Sequence, residues 1–412
     1  MPKLDATRTP IHGDVAPGFE EVRREFEKNF AERGELGAAC AIYHEGEKVV
    51  DLWGGYRDAE RREPWEQDTL ILVYSVSKGL TAMAIAAAHG KGLIDLDERV
   101  ATYWPEFAQN GKQDVTVRHL LAHQAGVPTV NETLTVEKMA DPEWLADAIV
   151  AQQPAWEPGT QRGYHYLTIG WCSAELIRRV DPQRRGFARF FREEVAEPLG
   201  IEFYFGVPED TSPERIAEIK AFHGTRMLLH MNSMPAGMVL AFFWPRSLTN
   251  RVLGNPKISS PGMLDSPEYR KLELPAANGY GNVRGIAGAF GDLATGGHRL
   301  GLPAGTVDEV TALAEVPADS ERDLVWHADL RFSMGFIKPS RLFRFGSSVR
   351  AFGAEGAGGS FAFADPDTQV GFAYAPNRLG FSIADDPREK ALRDALYGSL
   401  GRLASYRPGR AE

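Results

Sequence analysis

The sequence predicts an α+β fold, in which helices flank one antiparallel sheet formed from both chain ends and a mainly helical lobe is inserted between those ends. Strand-like segments lie near the N-terminus, at residues 38–55, and near the C-terminus, at residues 342–375. Helical signals, separated by loops rich in Pro and Gly, dominate from Leu80 to about Ser320. Strands at both ends share a sheet only if the chain ends come together, which makes the middle of the chain an insertion.

Hydrophobic spacing defines the elements of the N-terminal part. An amphipathic helix is predicted over residues 17–33, because its apolar residues recur at spacings of three and four among charges: Phe19, Val22, Phe26 and Phe30. Residues 38–44 and 48–55 follow as a hairpin of strands around a turn-like Glu-Gly-Glu. The alanine-rich run from Leu80 to His89 suits a buried helix.

The C-terminal part returns to strands and ends in a helix. Its strand-like runs are 342–345, 360–364 and 370–375, and residues 386–399 read as the closing helix. We therefore expect a sheet domain of residues 1–80 and 330–412 and a mainly helical domain of residues 81–329. The active site should lie between them, as ligand sites often do.

The composition excludes several classes of protein. A chain of 412 residues with 43% hydrophobic content can bury a large core. Lys and Arg total 46 against 56 Asp and Glu, and no basic run with interleaved aromatics occurs, so nucleic acid is not a predicted partner. The N-terminus lacks the apolar segment of a secretory signal and no window approaches the ~20 apolar residues of a membrane span. We predict a cytoplasmic protein, with Cys40 and Cys172 as buried free thiols.

The tetrapeptide Ser75-Val76-Ser77-Lys78 carries the predicted chemistry. If Ser75 opens a helix, residues three apart share a face, so the Lys78 ammonium lies beside the Ser75 hydroxyl. The helix dipole favours developing negative charge at the same place. Gly79 permits close backbone approach. A Ser-x-x-Lys pattern occurs about once by chance in such a chain, so its context decides.

That context resembles the serine hydrolases of penicillin-recognising fold, which comprise class C β-lactamases, D-alanyl-D-alanine peptidases and family VIII esterases. The resemblance spans nearly the whole chain, in the order of that family's signature stretches: Asp68-Thr69 before Ser75, then residues 92–97, 117–126 and 156–160, then Tyr164. It implies a β-lactamase/transpeptidase-like fold, with Ser75 as nucleophile and Lys78 holding the local positive charge and assisting proton removal.

Tyr164 is the expected proton shuttle. It opens Tyr164-His165-Tyr166, where β-lactamases carry Tyr-x-Asn and esterases often carry Tyr-His-Ala. We expect the nearby lysine to lower the pKa of Tyr164, which would suit a general base toward Ser75. Tyr280-Gly281-Asn282 matches Tyr-x-Asn literally, but its neighbours resemble a later loop of the family, so Tyr280 is predicted to line the cleft.

The third family signature departs from the pattern. Relatives carry Lys-Thr-Gly, His-x-Gly or Trp-Gly-Gly there, whereas this chain has Ala354-Glu355-Gly356. In β-lactamases and peptidases the lysine helps anchor the substrate carboxylate, so its absence argues against penicillins and peptide C-termini as main substrates. The backbone amides of Ser75 and Ala357 can still form an oxyanion hole. Tyr166, Glu355 and Gly356 are predicted to contact substrate.

A methionine-rich apolar stretch lies between His223 and Trp244. Its ordinary interpretation is the core of the helical lobe, but flexible thioethers also suit an adaptable acyl pocket. We therefore predict substrate contacts from Met231 and Trp244. His119 and His123, four residues apart, lack a third ligand and are predicted to be structural, with no metal or other cofactor.

The resulting prediction is a serine hydrolase that cleaves small carboxylic esters through a Ser75 acyl-enzyme. Acyl transfer to a small alcohol or amine is the alternative, because both reactions share the acyl-enzyme. A β-lactamase or D-aminopeptidase, and a non-catalytic assembly protein that keeps the fold, are weaker alternatives. The sequence leaves the oligomeric state open.

Overall fold

An eight-stranded antiparallel sheet forms the centre of the molecule. The computed structural model describes residues 9–222, 234–317 and 322–405. The strands of this sheet are β1 (Ile11–Val15), β2 (Gly37–His44), β3 (Glu47–Gly55), β7 (Arg331–Phe332), β8 (Ile337–Lys338), β9 (Phe352–Glu355), β10 (Phe361–Asp365) and β11 (Val370–Pro376). Their order is β1-β3-β2-β11-β10-β9-β8-β7, which confirms a sheet built from both chain ends.

The two chain ends join between β2 and β11. These strands pair in antiparallel register from Val370 opposite His44 to Pro376 opposite Ala38. Every residue of β11 is buried, as expected for a central strand covered on both faces. Strands far apart in the sequence therefore form the middle of the sheet.

The terminal helices cover one face of the sheet. Side chains alternate along a strand, and Phe361 and Phe363 of β10 point into one apolar cluster with residues of the helices Glu20–Glu32 and Pro387–Ser405. The two helices also contact each other. Both were predicted from the sequence, and the second extends further than predicted at its C-terminal end.

The helices Val76–Gly90 and Val283–Ala294 cover the opposite face. The sheet presents small residues there, which lets a helix approach its backbone. A Cβ atom on Gly371 of β11 would lie 2.2 Å from the backbone nitrogen of Gly291. The glycine pair therefore sets the depth at which the second helix packs.

A second, three-stranded sheet joins one strand just before the predominantly helical stretch to two strands within it. It consists of β4 (Ile71–Leu72), β6 (Gly279–Gly281) and β5 (Phe203–Phe205), in that order. Conversely, the strand predicted over residues 342–345 was wrong. Phe343 and Phe345 are buried side chains in the cluster under the terminal helices, so their alternation reflects packing without a strand ladder.

The remaining helices connect these layers. The α-helices are Val100–Tyr103, Val117–Leu121, Val136–Met139, Pro142–Ala151, Thr168–Val180, Phe187–Phe191, Glu197–Leu199, Ala236–Phe242, Leu248–Leu253, Pro267–Arg270 and Thr306–Thr311, with 3-10 turns at Pro105–Gly111, Pro213–Arg215 and Pro261–Asp265 and a π-helical turn at Arg192–Ala196. Within the described ranges, no helix has the length and apolarity that crossing a membrane requires. The domain boundaries drawn from the sequence stay a prediction.

Both cysteines are free and buried, as predicted. Burial raises the pKa of the Cys172 thiol to about 12 and that of Cys40 further. No group of three or more His, Cys, Asp or Glu side chains suited to a metal ion occurs among the described residues. His123 is buried against the rings of Tyr164 and Phe332.

Candidate active site

Ser75 lies at the start of a buried helix. The chain leaves β4, turns at Tyr74 and enters the helix Val76–Gly90. Tyr74 has a φ of 48°, a left-handed conformation that is uncommon outside glycine and often marks functional sites. Helix residues from Val76 to Ala88 are buried, whereas Ser75 is partly exposed. The turn therefore leaves the Ser75 hydroxyl accessible at the end of a rigid element.

Gly79 lets this helix cross close to β9. A Cβ atom on Gly79 would lie 2.7 Å from the Phe290 ring and 3.2 Å from the Cβ atom of Ala354. The methyl group of Ala354 is thus packed against the helix, and its side chain is buried. A larger residue at either position would push the helix away from the strand.

The three predicted catalytic side chains meet at one atom, the Oγ of Ser75. The Lys78 Nζ atom donates a hydrogen bond to it over 3.0 Å, and the Tyr164 hydroxyl donates a second over 3.2 Å. Both donors lie within the reach that proton transfer needs. Tyr164 approaches from a segment 89 residues further along the chain.

Lys78 is a buried amine with few polar partners. The residue is 6% exposed, and its second hydrogen bond among the described residues goes to the Ala276 carbonyl oxygen over 2.8 Å. The Nζ atom also lies 4.8 Å from the ring centre of Tyr164 and 5.7 Å from that of Tyr166. Burial lowers the pKa of Lys78 well below its ordinary value. The neutral amine, which can accept a proton, is therefore favoured over the charge expected from the sequence.

The expected lowering of the Tyr164 pKa was wrong. Burial raises the pKa of its phenol above the ordinary value, and the hydrogen bond to Ser75 offsets only part of this. The ring lies edge-on to Trp326 at 5.6 Å between centroids and stacks on Phe332 at 6.3 Å. A phenolate is disfavoured in such apolar surroundings, so Tyr164 is a neutral proton donor.

The predicted oxyanion hole uses a loop that is held tightly beside the Ser75 turn. A Cβ atom on Gly356 would lie 2.3 Å from the carbonyl oxygen of Val73, so only glycine fits there. The Gly358 carbonyl oxygen accepts hydrogen bonds from Arg388 over 3.0 Å and from the Gly380 amide over 2.9 Å. In the described part of the chain, the amides of Ser75 and Ala357 donate to no other protein group. Both residues line the same pocket, so both amides are available to an oxyanion.

This pocket has a volume of about 300 Å³ and opens on Ser75. Its walls are mainly aromatic and aliphatic, and the described residues include Tyr166, Phe222, Met234, Met238, Leu253, Pro261, Trp326, Leu330, Phe332, Ile337, Phe343, Leu379, Phe381 and Ile383. A larger, open cavity of about 810 Å³ elsewhere is lined by arginine and serine side chains, but by none of the predicted site residues. The smaller pocket is therefore the candidate substrate site.

The predicted substrate contacts divide into two groups. Tyr166, Glu355 and Gly356 line the pocket. Tyr280 does not, because it is fully buried and donates its hydroxyl to Asp265 over 2.7 Å. Trp244 is 68% exposed and is absent from the described pocket lining.

The methionine-rich stretch contributes in part. Met231 lies outside the described residues, but Met234 and Met238 line the pocket. Neither of these two was predicted from the sequence as a site residue, although the thioether-rich composition pointed to their segment. Trp326 and Phe332 were missed altogether, because nothing in their local sequence indicates a pocket wall.

The chain resembles known proteins over most of its length. Residues 22–396 match the family model described as Beta-lactamase. The esterase/beta-lactamase LipL of Mycobacterium tuberculosis is 33% identical over 375 residues, which cover 90% of this chain and 83% of LipL. The crystal structure of a family VIII carboxylesterase has a TM-score of 0.82 at 37% identity, covering 95% of this chain and 100% of that one. A penicillin-binding protein homologue from Caulobacter crescentus has a TM-score of 0.81 at 35% identity, with the same coverage.

Proposed function

This chain belongs to the beta-lactamase family and is a serine hydrolase, and we propose that it cleaves carboxylic esters through an acyl-enzyme formed on Ser75. The observation that carries the proposal is the pair of hydrogen bonds that the Ser75 Oγ accepts from Lys78 and Tyr164 beside an apolar pocket. The names of two relatives, an esterase/beta-lactamase and a carboxylesterase, support an ester as the substrate.

Acylation begins with attack of the Ser75 Oγ on the ester carbonyl carbon. The serine proton passes to the neutral Lys78 amine over the 3.0 Å contact. The carbonyl oxygen becomes an oxyanion, which the amides of Ser75 and Ala357 bind. Collapse of this intermediate breaks the bond to the alcohol oxygen. Tyr164 gives its proton to that oxygen and is reprotonated by the Lys78 ammonium, so an alcohol leaves and the acyl group stays on Ser75.

Deacylation runs the same proton path in reverse. A water molecule attacks the acyl carbon, and its proton passes through Tyr164 to the Lys78 amine. The second oxyanion uses the same two amides. Collapse breaks the bond to Ser75, and the Lys78 ammonium returns a proton to the serine oxygen. The products are the free acid and the starting enzyme.

Acyl transfer to a small alcohol or amine is a second candidate. The mainly apolar pocket walls disfavour free water beside the acyl-enzyme, whereas an alcohol gains contacts with them. Added alcohol acceptors should then divert part of the acyl group into a new ester. Hydrolysis that is unaffected by increasing acceptor would rule this candidate out.

β-Lactams are expected to be poor substrates. Ala354 supplies no cation for the carboxylate of a penicillin, and its methyl group packs against the Ser75 helix. Glu355 next to it adds a carboxyl group where an anion would need a positive partner. Rapid turnover of nitrocefin would contradict this reading of the third signature.

Intact-protein mass spectrometry tests the nucleophile and the pocket together. The protein is exposed to p-nitrophenyl esters of graded length and, separately, to a fluorophosphonate. Wild type should gain one acyl or phosphonyl group, and Ser75→Ala should gain none. Ser382→Ala, which alters another serine on the pocket wall, is the matched control and should still be labelled at Ser75. Labelling of Ser75→Ala would remove the proposed nucleophile.

A further inference from the structure

Glu355 brings a carboxyl group into the substrate pocket. It ends β9 and lies opposite Phe361 of β10, so the two side chains share a face of the sheet. Arg393 lies over the Phe361 ring on that face, 5.5 Å from its centre. Glu355 also lines the pocket together with Ser75. A charge on its carboxyl group would raise the pKa of Tyr164, which indicates that the two side chains are neighbours.

The Glu355 carboxyl group has no hydrogen-bond partner among the described residues. Its Oε2 atom is closed to solvent and unpaired. The nearby guanidinium of Arg393 is already occupied, because it donates to Glu389 over 2.5 Å, to Asp385 over 2.8 Å and to the carbonyl oxygen of Arg344. An unpaired buried polar atom is unfavourable, so the carboxyl group can gain a partner from a bound ligand.

The surroundings favour the neutral form of this carboxyl group. Burial raises the pKa of Glu355 well above its ordinary value, and the carboxylates of Glu389, Asp385 and Asp386 raise it further, while Arg393 lowers it. Tyr164 is another titratable neighbour, and burial raises its pKa as well. A protonated carboxyl group offers one hydrogen-bond donor and an acceptor side by side.

A hydroxyl group complements such an acid best. It can accept the acid's proton in a hydrogen bond and donate its own to the carbonyl oxygen. A carboxylate ligand would meet the carboxylates of Glu389, Asp385 and Asp386. The nearby Arg393 guanidinium is already paired with Glu389 and Asp385. An ammonium would have to lose its water in mainly apolar surroundings beside a neutral acid.

We infer that Glu355 is a specificity-determining residue that hydrogen-bonds a neutral hydroxyl group of the substrate, so that the enzyme favours hydroxyl-bearing esters over plain alkyl esters. The inference rests on the proposed ester hydrolysis at Ser75. A site built to hydrogen-bond a substrate group discriminates strongly against the analogue that lacks it, because its own polar atom is then left unpaired.

A matched ester panel tests the inference. The reference ester is ethyl butyrate. Ethyl beta-hydroxybutyrate carries a hydroxyl group in the acyl half, and the monobutyrate of ethylene glycol carries one in the alcohol half. Ethyl gamma-aminobutyrate adds a positive charge, and monoethyl succinate adds a negative one. A pH-stat measures kcat/KM for wild type, Glu355→Gln, Glu355→Leu, Glu355→Met and Ser75→Ala. Ser382→Ala controls for a general change in the polarity of the pocket wall.

We expect at least one hydroxylated ester to exceed ethyl butyrate in kcat/KM by about tenfold or more in wild type. Glu355→Gln, which stays neutral and hydrogen-bonding, should keep most of this ratio, and both apolar variants should lose it. Ser382→Ala should keep it. Thermal unfolding shows whether Glu355→Leu and Glu355→Met are folded. One folded apolar variant is enough for the test.

Three results overturn the inference: no preference for a hydroxylated ester, a preference that survives an apolar substitution, or one that Ser382→Ala abolishes equally. Wild type could instead prefer the amino ester and lose that preference in Glu355→Gln. This result would overturn the inference and indicate that Glu355 is a charged carboxylate. If wild type cleaves none of these esters, or if Ser75→Ala cleaves them as fast as wild type does, the proposed function fails and the inference with it. If wild type cleaves the esters but the ratio of kcat/KM values is unchanged in the apolar Glu355 variants, only the inference about Glu355 fails.

Discussion

The Nζ atom of Lys78 lies 3.0 Å from the Oγ atom of Ser75, and its other hydrogen bond, to the Ala276 carbonyl oxygen, holds it there. The first contact follows from the helix, since residues three apart share a face. The second depends on a loop 198 residues away in the chain. Together they direct a buried amine at one hydroxyl group.

Replacing the amine should stop acylation. Lys78→Met keeps an unbranched side chain but removes the proton acceptor. Lys78→Arg introduces a guanidinium group, which stays protonated and so cannot act as a neutral base. We expect both to lower kcat by about 10²-fold or more, the range for loss of a general base. Stopped-flow acylation with a p-nitrophenyl ester measures the step directly. An acylation rate in Lys78→Arg equal to that of wild type would contradict the role of a neutral amine.

The pH profile should report the same group. Because the pKa of Lys78 is held well below its ordinary value, kcat/KM should rise as pH increases through that lowered pKa and the amine loses its proton. Lys78→Met should abolish this limb in whatever activity remains. A profile that falls with rising pH in the neutral range would indicate a protonated lysine instead.

The lowered pKa of Lys78 should also make the free energy of unfolding depend on pH. Between the lowered pKa and about 10.4, the value for an exposed lysine, the unfolded chain binds more protons than the folded chain does. The free energy of unfolding should therefore rise with pH across this window by more in wild type than in Lys78→Met. Urea unfolding of both proteins at several pH values provides the comparison. Parallel curves would show that Lys78 has an ordinary pKa in the folded state.

Tyr164→Phe should remove proton transfer while keeping the packing. The ring still contacts Trp326 and Phe332, but the hydrogen bond to Ser75 is lost. We expect kcat to fall by about 10²-fold or more with little change in Tm. Tyr166→Phe is the matched control, since Tyr166 lines the pocket without a described hydrogen bond to Ser75. An equal loss in both variants would argue against a specific role for Tyr164.

Met238→Ala should enlarge the acyl pocket. Met238 is buried and lines the pocket, whereas Trp244 is exposed outside it. The optimum chain length for p-nitrophenyl esters should therefore shift to longer acyl groups in Met238→Ala and stay unchanged in Trp244→Ala. Truncating a buried methionine costs about 2 kcal/mol or more, so the assays are run below the lowered Tm. A shift in Trp244→Ala alone would revive the sequence-based assignment of Trp244.

Arg388 should stabilise both the fold and the predicted oxyanion loop. It is buried, pairs with Glu35 and Asp386, and donates to the Gly358 carbonyl oxygen. Arg388→Met leaves two buried carboxyl groups without their cation, so unfolding should become easier by about 3–5 kcal/mol. Glu35→Gln removes one ion pair only and should cost less. Equal Tm values for wild type and Arg388→Met would contradict this account.

Prediction from sequence worked best where contacts are local or periodic. The Ser75 and Lys78 pair lies within one helical turn, and the terminal helices follow from apolar spacing. It was wrong where alternation has another cause: residues 342–345 alternate because Phe343 and Phe345 pack under the terminal helices without strand pairing. Tyr280 matched a motif literally, but its hydroxyl is held by Asp265.

The sequence by itself determined which groups are available for chemistry: a serine and a lysine one turn apart, a distant tyrosine, and no cation at Ala354. Only the tertiary structure decided their protonation states, because burial depends on elements that are remote in the chain. It raised the pKa of Tyr164, lowered that of Lys78 and left the carboxyl group of Glu355 unpaired. Desolvation is a property of the assembled core, so no local pattern of residues encodes it.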